Sequence, residues 1–374
     1  VVGINTTASG AISPSITNNE VYNLITTNTA TNNTGQIYGI SYTGNSANPP
    51  VGRISGNNIW GLFLGTSNTT ANPRLVGINI AGGSSVVYNN MIQLGRKPAD
   101  GSPIENAYGI TGIRYAGSTT YPNYFFYNSV YIGGSPTSGA NATYCFQRVA
   151  NPLNNPDDVF NNNIFYNNRT NSGTATASHL ALVTNNTTRF VSNFNNYMST
   201  SGSIASVNGG TNILDLSDLQ ALGYDANSIS NDPQFKNPDG SAATADLHIK
   251  TDTPTPIEGV GISITSPITI TTDIDGNIRC PESGCLGGNT APDMGADEGN
   301  FIGADLTPPS IVFTDIPNTT STANLVLTDF ATITDKSGVN STTNKPRLYY
   351  KKSTDNNDNT GWKYVVSSSS TSPF

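Results

Sequence analysis

Apolar positions in this chain come in short bursts set in polar sequence, and the bursts recur. An asparagine pair, or a close variant of it, introduces one series: TNNEVYNLI from Thr17, GNNIWGLFL from Gly56, YNNMIQLG from Tyr88, YNSVYIGG from Tyr127, NNNIFYNN from Asn161 and FNNYMS from Phe194. A second series alternates with it: VGIN at Val2, IYGISYTG at Ile37, LVGINIAG at Leu75, AYGITGIRYAG at Ala107, TYCFQRV at Thr143 and HLALVT at His179. Along the first series Asn18, Asn57, Asn89, Asn128, Asn162 and Asn195 follow one another at 39, 32, 39, 34 and 33 residues. A unit of that length cannot bury its own apolar face. Neighbouring units must stack and share one continuous core, which defines a solenoid.

The bursts are rich in Ile, Val, Tyr and Phe and are bounded by Gly, Asn, Ser, Thr and Pro, which predicts strands and excludes a helical solenoid. A propeller blade would want four comparable strands per unit, whereas two stand out. The pattern therefore predicts an all-β chain wound as a parallel β-helix, with rungs about 4.8 Å apart. Asparagine at a fixed place in each turn suits a ladder of stacked side-chain amides or the left-handed backbone of a corner. The plainer alternative is a set of ordinary turn residues. Ile59 and Ile164 are expected to point into the core.

Charged residues make up 11% of the chain, against about 25% in ordinary soluble domains. With 35% apolar residues, this is not the composition of a disordered chain. A net charge of -8 leaves no basic footprint for nucleic acid. No apolar run is long enough to span a bilayer, and no signal peptide opens the chain. VVGINTTASG reads as part of a rung and SSSSTSPF ends abruptly, so the chain is expected to be a segment of a longer protein.

Organisation changes near residue 205. NILDLSDLQALGYDA, from Asn212 to Ala226, predicts a short helix. The later elements are expected to form two or three atypical rungs that close the last apolar layer. The succession DLSDLQALGYDANSISNDPQF, DLHIK, DIDGNIR and APDMGADE, over about 211–300, is similar to the C-terminal end of right-handed parallel β-helix proteins. These belong to the pectate-lyase-like superfold and are found on secreted and surface proteins of Bacteroidota. The resemblance implies an exported or cell-surface β-helix, often one module of a large adhesin, and does not imply lyase activity. After Phe301, DLTPPSIVFTDIPNTT and the short strands behind it resemble an immunoglobulin-like or fibronectin-like sandwich. The expected organisation is rungs over 1–210, closing rungs and cap over 211–303, and a partial β-sandwich over 304–374.

Candidate chemistry is sparse. The rung region offers Glu20, Asp100, Glu105, Asp157 and Asp158. Only the last two adjoin, and no alignment of the paired carboxylates that glycosidases need is visible. They read as solvated loop acids, and Arg53, Arg74, Arg96, Arg114 and Arg148 as scattered residues on one outer face. With only His179 and His248, imidazole catalysis is poorly supplied; His248 reads as packing or making a structural hydrogen bond. Asp273, Asp275 and Asn277 resemble half of a calcium loop, but its twelfth position is Gly284 rather than Glu. Asp293, Asp297 and Glu298 are the best second half of such a site, against a purely structural turn. Calcium is thus the one cofactor the sequence suggests.

Cys280 and Cys285 are spaced to close a small loop in an oxidising compartment or to remain thiols. Cys145 reads as a buried small apolar residue. Trp60, Tyr121, Tyr124 and Tyr131 are the candidate ligand-contact residues, for sugar rings or a protein partner, against the reading that they fill the core. Two functions remain. One is a non-catalytic rod and display surface of an extracellular adhesin or filament, whose partners are other domains of the same chain, polysaccharide or other surface proteins. The other is a polysaccharide lyase or hydrolase.

Overall fold

The computed structural model describes residues 1–374 apart from 9–12, 28, 30–33, 48, 49, 51, 67, 69, 71–73, 117–120, 150–156, 288, 289, 317–319, 322 and 341. The chain divides into two compact units, Val1–Ala304 and Asp305–Phe374.

In the first unit each turn of chain lays down three strands rather than two, and the first two turns add a short fourth pair, Ile25–Thr26 with Phe63–Leu64. Val2–Thr7, Gln36–Thr43, Arg74–Gly82, Gly109–Tyr115, Thr143–Arg148 and His179–Thr184 pair in parallel as the first sheet. Ser15–Thr17, Gly52–Ser55, Ser85–Tyr88, Tyr124–Phe126, Asp158–Asn161 and Phe190–Asn193 form the second. Glu20–Tyr22, Asn58–Trp60, Met91–Leu94, Ser129–Ile132, Ile164–Asn167 and Asn196–Ser199 form the third. The result is a parallel β-solenoid of about five turns. The second set is hard to see in sequence because its strands are three or four residues long and run straight into the asparagine pair.

The core fills from all three walls. Ile40, Ile78, Ile113, Phe146 and Leu182 stack in register on the first sheet. Ile54, Val87, Phe125 and Phe160 stack on the second, and Val21, Ile59, Ile92, Val130, Phe165 and Tyr197 belong to the third. The glycine in the second sequence series has a specific cause. Gly39, Gly77 and Gly112 stand between in-register pairs of the first sheet, where a Cβ on Gly77 would lie 2.5 Å from Ile92 and 2.6 Å from the carbonyl of Gly112. Continuing that column are Cys145 and Ala181, both buried, so Cys145 is indeed a small apolar filler.

At the far end Ala205–Val207 continues the first sheet in parallel, and Thr211–Ile213 turns back on it. The helix Leu216–Ala221 comes next, with Asp215 accepting the Asp218 N–H at its N-terminus. Ile213 and Leu219 enter the core and Tyr224 packs against it. Together these residues cover the last layer of the core. The remainder of the unit does not add rungs: beyond Ile229 the chain turns back along the flank of the solenoid, as a strap bonded to residues of earlier rungs.

Among the described residues of the second unit, taken by itself, Ser310–Phe313 pairs antiparallel with Ala331–Thr334 and Arg347–Tyr350 with Lys363–Val366. Their apolar residues stay open, with Val312 66% and Phe313 61% exposed. Among the described residues no helix is long and apolar enough to cross a membrane.

Candidate functional site

The two asparagines of each pair do different work. The first position, Asn18, Gly56, Asn89, Tyr127, Asn162 and Phe194, takes a left-handed backbone with φ of 56°, 64°, 53°, 51°, 61° and 55°. That conformation turns the chain from the second sheet into the third, and asparagine tolerates it better than most residues. The next position forms the ladder. Asn57 donates through its backbone N–H and Nδ2 to Asn90 Oδ1 at 3.1 and 2.9 Å, and Nδ2 also reaches Ile16 O at 2.9 Å. Asn19 donates to Asn57 in the same way, Asn90 to Asn128, Asn128 to Asn163 and Asn163 to Asn195. A carboxamide both donates and accepts, so the column repeats without leaving a partner unmatched. It ends on Asn195, whose N–H meets Ser228 Oγ at 2.8 Å and whose Nδ2 meets Asp225 Oδ1 at 3.2 Å. Asp225 also accepts Ser228 Oγ and Ser192 Oγ at 2.6 and 2.9 Å, and burial raises its pKa.

The strap covers outward faces of the second and third sheets. Strands Phe235–Asn237 and Asp246–Ile249 form a hairpin whose connection lies over the third sheet. There Trp60 Nε1 donates to Ala242 O at 2.7 Å, Gln93 Nε2 to Gly240 O at 3.1 Å, and Tyr131 OH to Asp239 Oδ1 at 2.6 Å. Farther on, Asn162 pairs in both directions with Ile262, Tyr127 OH donates to Ile262 O at 2.7 Å, and Asn89 Nδ2 to Thr272 O at 2.7 Å. The corner residues thus also hold the strap. Ile264 and Ile270 cover Val86 and Phe126, while Met294 and Ala296 join Met91 and Ile164. Ile164 is therefore buried on the outward side, because its register partner is Ser129, which bonds Ala296 N–H. It does not point into the core.

Arg279 is a buried anchor of the strap. Its guanidinium lies 3.8 Å from the centroid of the Tyr127 ring, pairs with Glu298 at 3.1 Å and donates to Asn89 Oδ1 and Gly295 O at 3.0 and 2.9 Å. Burial and the Glu298 and Glu258 charges push the Asp293 carboxyl well above the carboxylate range. Cys280 and Cys285 are joined by a disulfide in the same stretch.

A second buried charge sits at the end of the first sheet. Arg148 and Asp158 are both 0% exposed. Arg148 Nε and Nη2 donate to Asp158 Oδ2 at 3.1 and 2.9 Å, and Nη2 also donates to the carbonyls of Thr188 and Arg189. Burial lifts the Asp158 pKa to about 6, against the pull of Arg148. Asp158 is thus no solvated loop acid, although Asp157, paired with Arg189 at 3.3 Å, remains partly exposed. Nor do the five arginines share one face. Arg74 and Arg114 lie on the first sheet, Arg53 on the second, Arg96 follows the third beside Asp239, and Arg148 is interior. The preceding segment NPLNNP (151–156), and much of the loop TSNTTANPR (66–74), lie outside the described residues.

The candidate calcium residues separate. Asp273 takes N–H bonds from Asp275, Asn277 and Glu298 at 2.9, 2.8 and 3.0 Å, and Asn277 Nδ2 at 3.1 Å. Its oxygens brace a turn. Asp275 instead meets His248 Nε2 at 2.8 Å, while Asp246 holds His248 Nδ1 at 2.6 Å. Burial pulls the His248 pKa down, and the carboxylates of Asp297, Asp246 and Asp275 more than offset it, so it is raised overall. The candidate ligand aromatics are also redistributed. Tyr131 is closed to a ligand, being fully buried beneath the hairpin. Trp60 stacks on Tyr22 with centroids 4.8 Å apart, Tyr124 packs on Phe126, and Tyr121 is half-buried.

Outward residues of the first sheet include Tyr38, Arg74, Arg114 and Tyr144, all half-buried. Among the described residues no strap hydrogen bond reaches that face. An open depression beside it, lined by Thr27, Phe63, Gly65, Thr66 and Asn106, carries no titratable side chain. The fold and these groups together define a parallel β-solenoid with a lateral strap. Neither a protein-family model, nor a curated protein, nor a solved structure matches the chain.

Proposed function

We propose that this chain is a non-catalytic module of a secreted cell-surface protein, its solenoid acting as a rigid stalk and display surface. The observation that carries the reading is where the polar groups go. The ladder asparagines from Asn57 to Asn195, Arg148, Asp158, Arg279 and Glu298 are buried and bonded to one another or to backbone, and such networks rigidify a core rather than perform chemistry. Asp157 and Asp158 present no pair of carboxylates to a common open space. The outer face of the first sheet, with Tyr38, Arg74, Arg114 and Tyr144, is the surface assigned to contact with polysaccharide or another surface protein. The Cys280–Cys285 disulfide supports an oxidising, extracellular setting. The resemblance to pectate-lyase-like β-helices of Bacteroidota surface proteins belongs to the same reading. So does a sandwich assignment for 305–374, whose exposed apolar strands call for a facing sheet.

Single-molecule stretching of the whole chain tests the stalk. The solenoid is expected to hold to forces above those that open the unit 305–374. Extension of the solenoid first, at lower force, would contradict a mechanical role.

A further inference from the structure

We propose that His248, Asp275 and Asp297 bind a divalent transition-metal ion of the zinc class, with Asp246 orienting the imidazole. One donor atom from each of the three side chains lies within 4.8 Å of the other two. They come from separate parts of the strap: the strand Asp246–Ile249, the turn over 273–277 and the stretch over 293–298. Tetrahedral zinc, with bonds of about 2.0–2.2 Å, sets ligand atoms roughly 3.4 Å apart. Small side-chain rotations close the difference.

The donors are prepared rather than merely near. Asp246 Oδ1 lies 2.6 Å from His248 Nδ1, the arrangement in which a carboxylate fixes the tautomer of a metal-binding imidazole, and Nε2 faces Asp275 Oδ2 at 2.8 Å, where an ion would take the place of the direct contact. Asp275 is held by its own N–H bond to Asp273 at 2.9 Å. Asp297 supplies the independent sign of a missing ligand. It is 7% exposed, its Oδ2 accepts the Ile249 N–H at 2.7 Å, and its Oδ1 accepts no hydrogen bond among the described residues. That leaves one oxygen of a largely buried carboxylate free to meet a cation.

The donor set selects the class of ion. Calcium asks for six to eight oxygen ligands, yet here one donor is nitrogen and the Asp273 oxygens already serve N–H groups. One imidazole and two carboxylates match a three-ligand zinc site with a water in the fourth position. The 28% and 49% exposure of the His248 and Asp275 side chains leaves that position open to solvent. Two carboxylates also balance the charge of a divalent ion. Such an ion would tie three segments of the strap together.

The test uses the whole chain, free of any affinity tag and stripped with a chelator. It is titrated with zinc chloride and calcium chloride by calorimetry, and with cobalt(II) by its visible absorption. One zinc per chain is expected, bound at least tenfold more tightly than calcium, with cobalt giving the bands of a low-coordinate site. Asp275→Asn and His248→Gln should each weaken zinc at least tenfold. Both positions are partly exposed, and circular dichroism would verify the fold of each variant. Zinc should raise the melting temperature of the parent chain and not of the variants. Absence of stoichiometric zinc binding, binding undiminished in both variants, or equal affinity for calcium would each overturn the proposal.

Discussion

Asn128 sits midway along the ladder, 0% exposed, accepting from Asn90 and donating to Asn163 Oδ1 and Val87 O. Asn128→Ala would strand those partners, at about 1–3 kcal/mol for each buried group left unpaired, read as a lowered urea midpoint. Asn18→Gly, at the exposed first corner with φ 56°, should stay within about 0.5 kcal/mol. Asparagine in every turn was legible as ladder or corner. Which asparagine does which was not, because moving the register by one residue exchanges the roles. The buried Arg148–Asp158 pair was not legible either, since nothing local separates Asp158 from its exposed neighbour. Asp158→Asn would leave the Arg148 charge unmatched, costing about 3–5 kcal/mol, whereas Asp157→Asn should change stability by no more than about 0.5 kcal/mol; denaturant unfolding of the two variants distinguishes them. His179, wedged between Thr143 Oγ1 and Asn171 Oδ1, has a pKa lowered to about 4 by burial and by Arg169. The unfolded chain therefore takes up the proton first, so this imidazole's stabilising effect is full above about pH 6.5 and is lost as pH falls toward 4. Asp158 acts in the opposite sense, because its raised pKa favours the protonated folded form between about 6 and 4. The comparison is thus between chains: His179→Gln should lose less stability than the parent from pH 7 to pH 4.5, by urea midpoints at each pH.

Strands announce themselves when their apolar positions repeat, which is why the first and third sheets could be read from the residues alone. The second sheet could not, being short and fused to the asparagine corner, and the helix Leu216–Ala221 was legible from its leucines and the Asp215 cap. The strap was hidden for a different reason. It has no periodicity, and the residues it covers, Trp60, Tyr131 and Ile164, look in sequence like any ring or aliphatic on a strand. Two substitutions separate rung from strap. Ile92→Ala, inside the rungs at 0% exposure, should cost about 2–5 kcal/mol and speed hydrogen exchange in adjoining rungs. Arg279→Gln removes the cation that meets Glu298 and the Tyr127 ring. Exchange should then quicken over 255–303 while the first-sheet strands stay protected; equal quickening of both would mean that strap and rungs open as one.

Taken whole, the solenoid gains its stability from repetition: each rung buries the face of the next, and the amide column fixes their register. Its chemistry-bearing residues obey the same logic. Arg148 and Arg279 with Asp158 and Glu298 are drawn into buried ion pairs, Asp273 into a turn and Asp225 into the closure of the ladder. The role proposed for it is to carry tension and present a surface, and turnover is the sharpest challenge to that proposal. The direct measurement incubates the purified chain with pectins, alginates and other acidic and neutral polysaccharides, with and without calcium or zinc, and assays released reducing and unsaturated ends. No product is expected on any substrate, whether or not the chain is retained on it. Sustained product release that survives removal of contaminating activity would contradict the account and turn attention to the strap's His248, Asp275 and Asp297 and to the outer face of the first sheet.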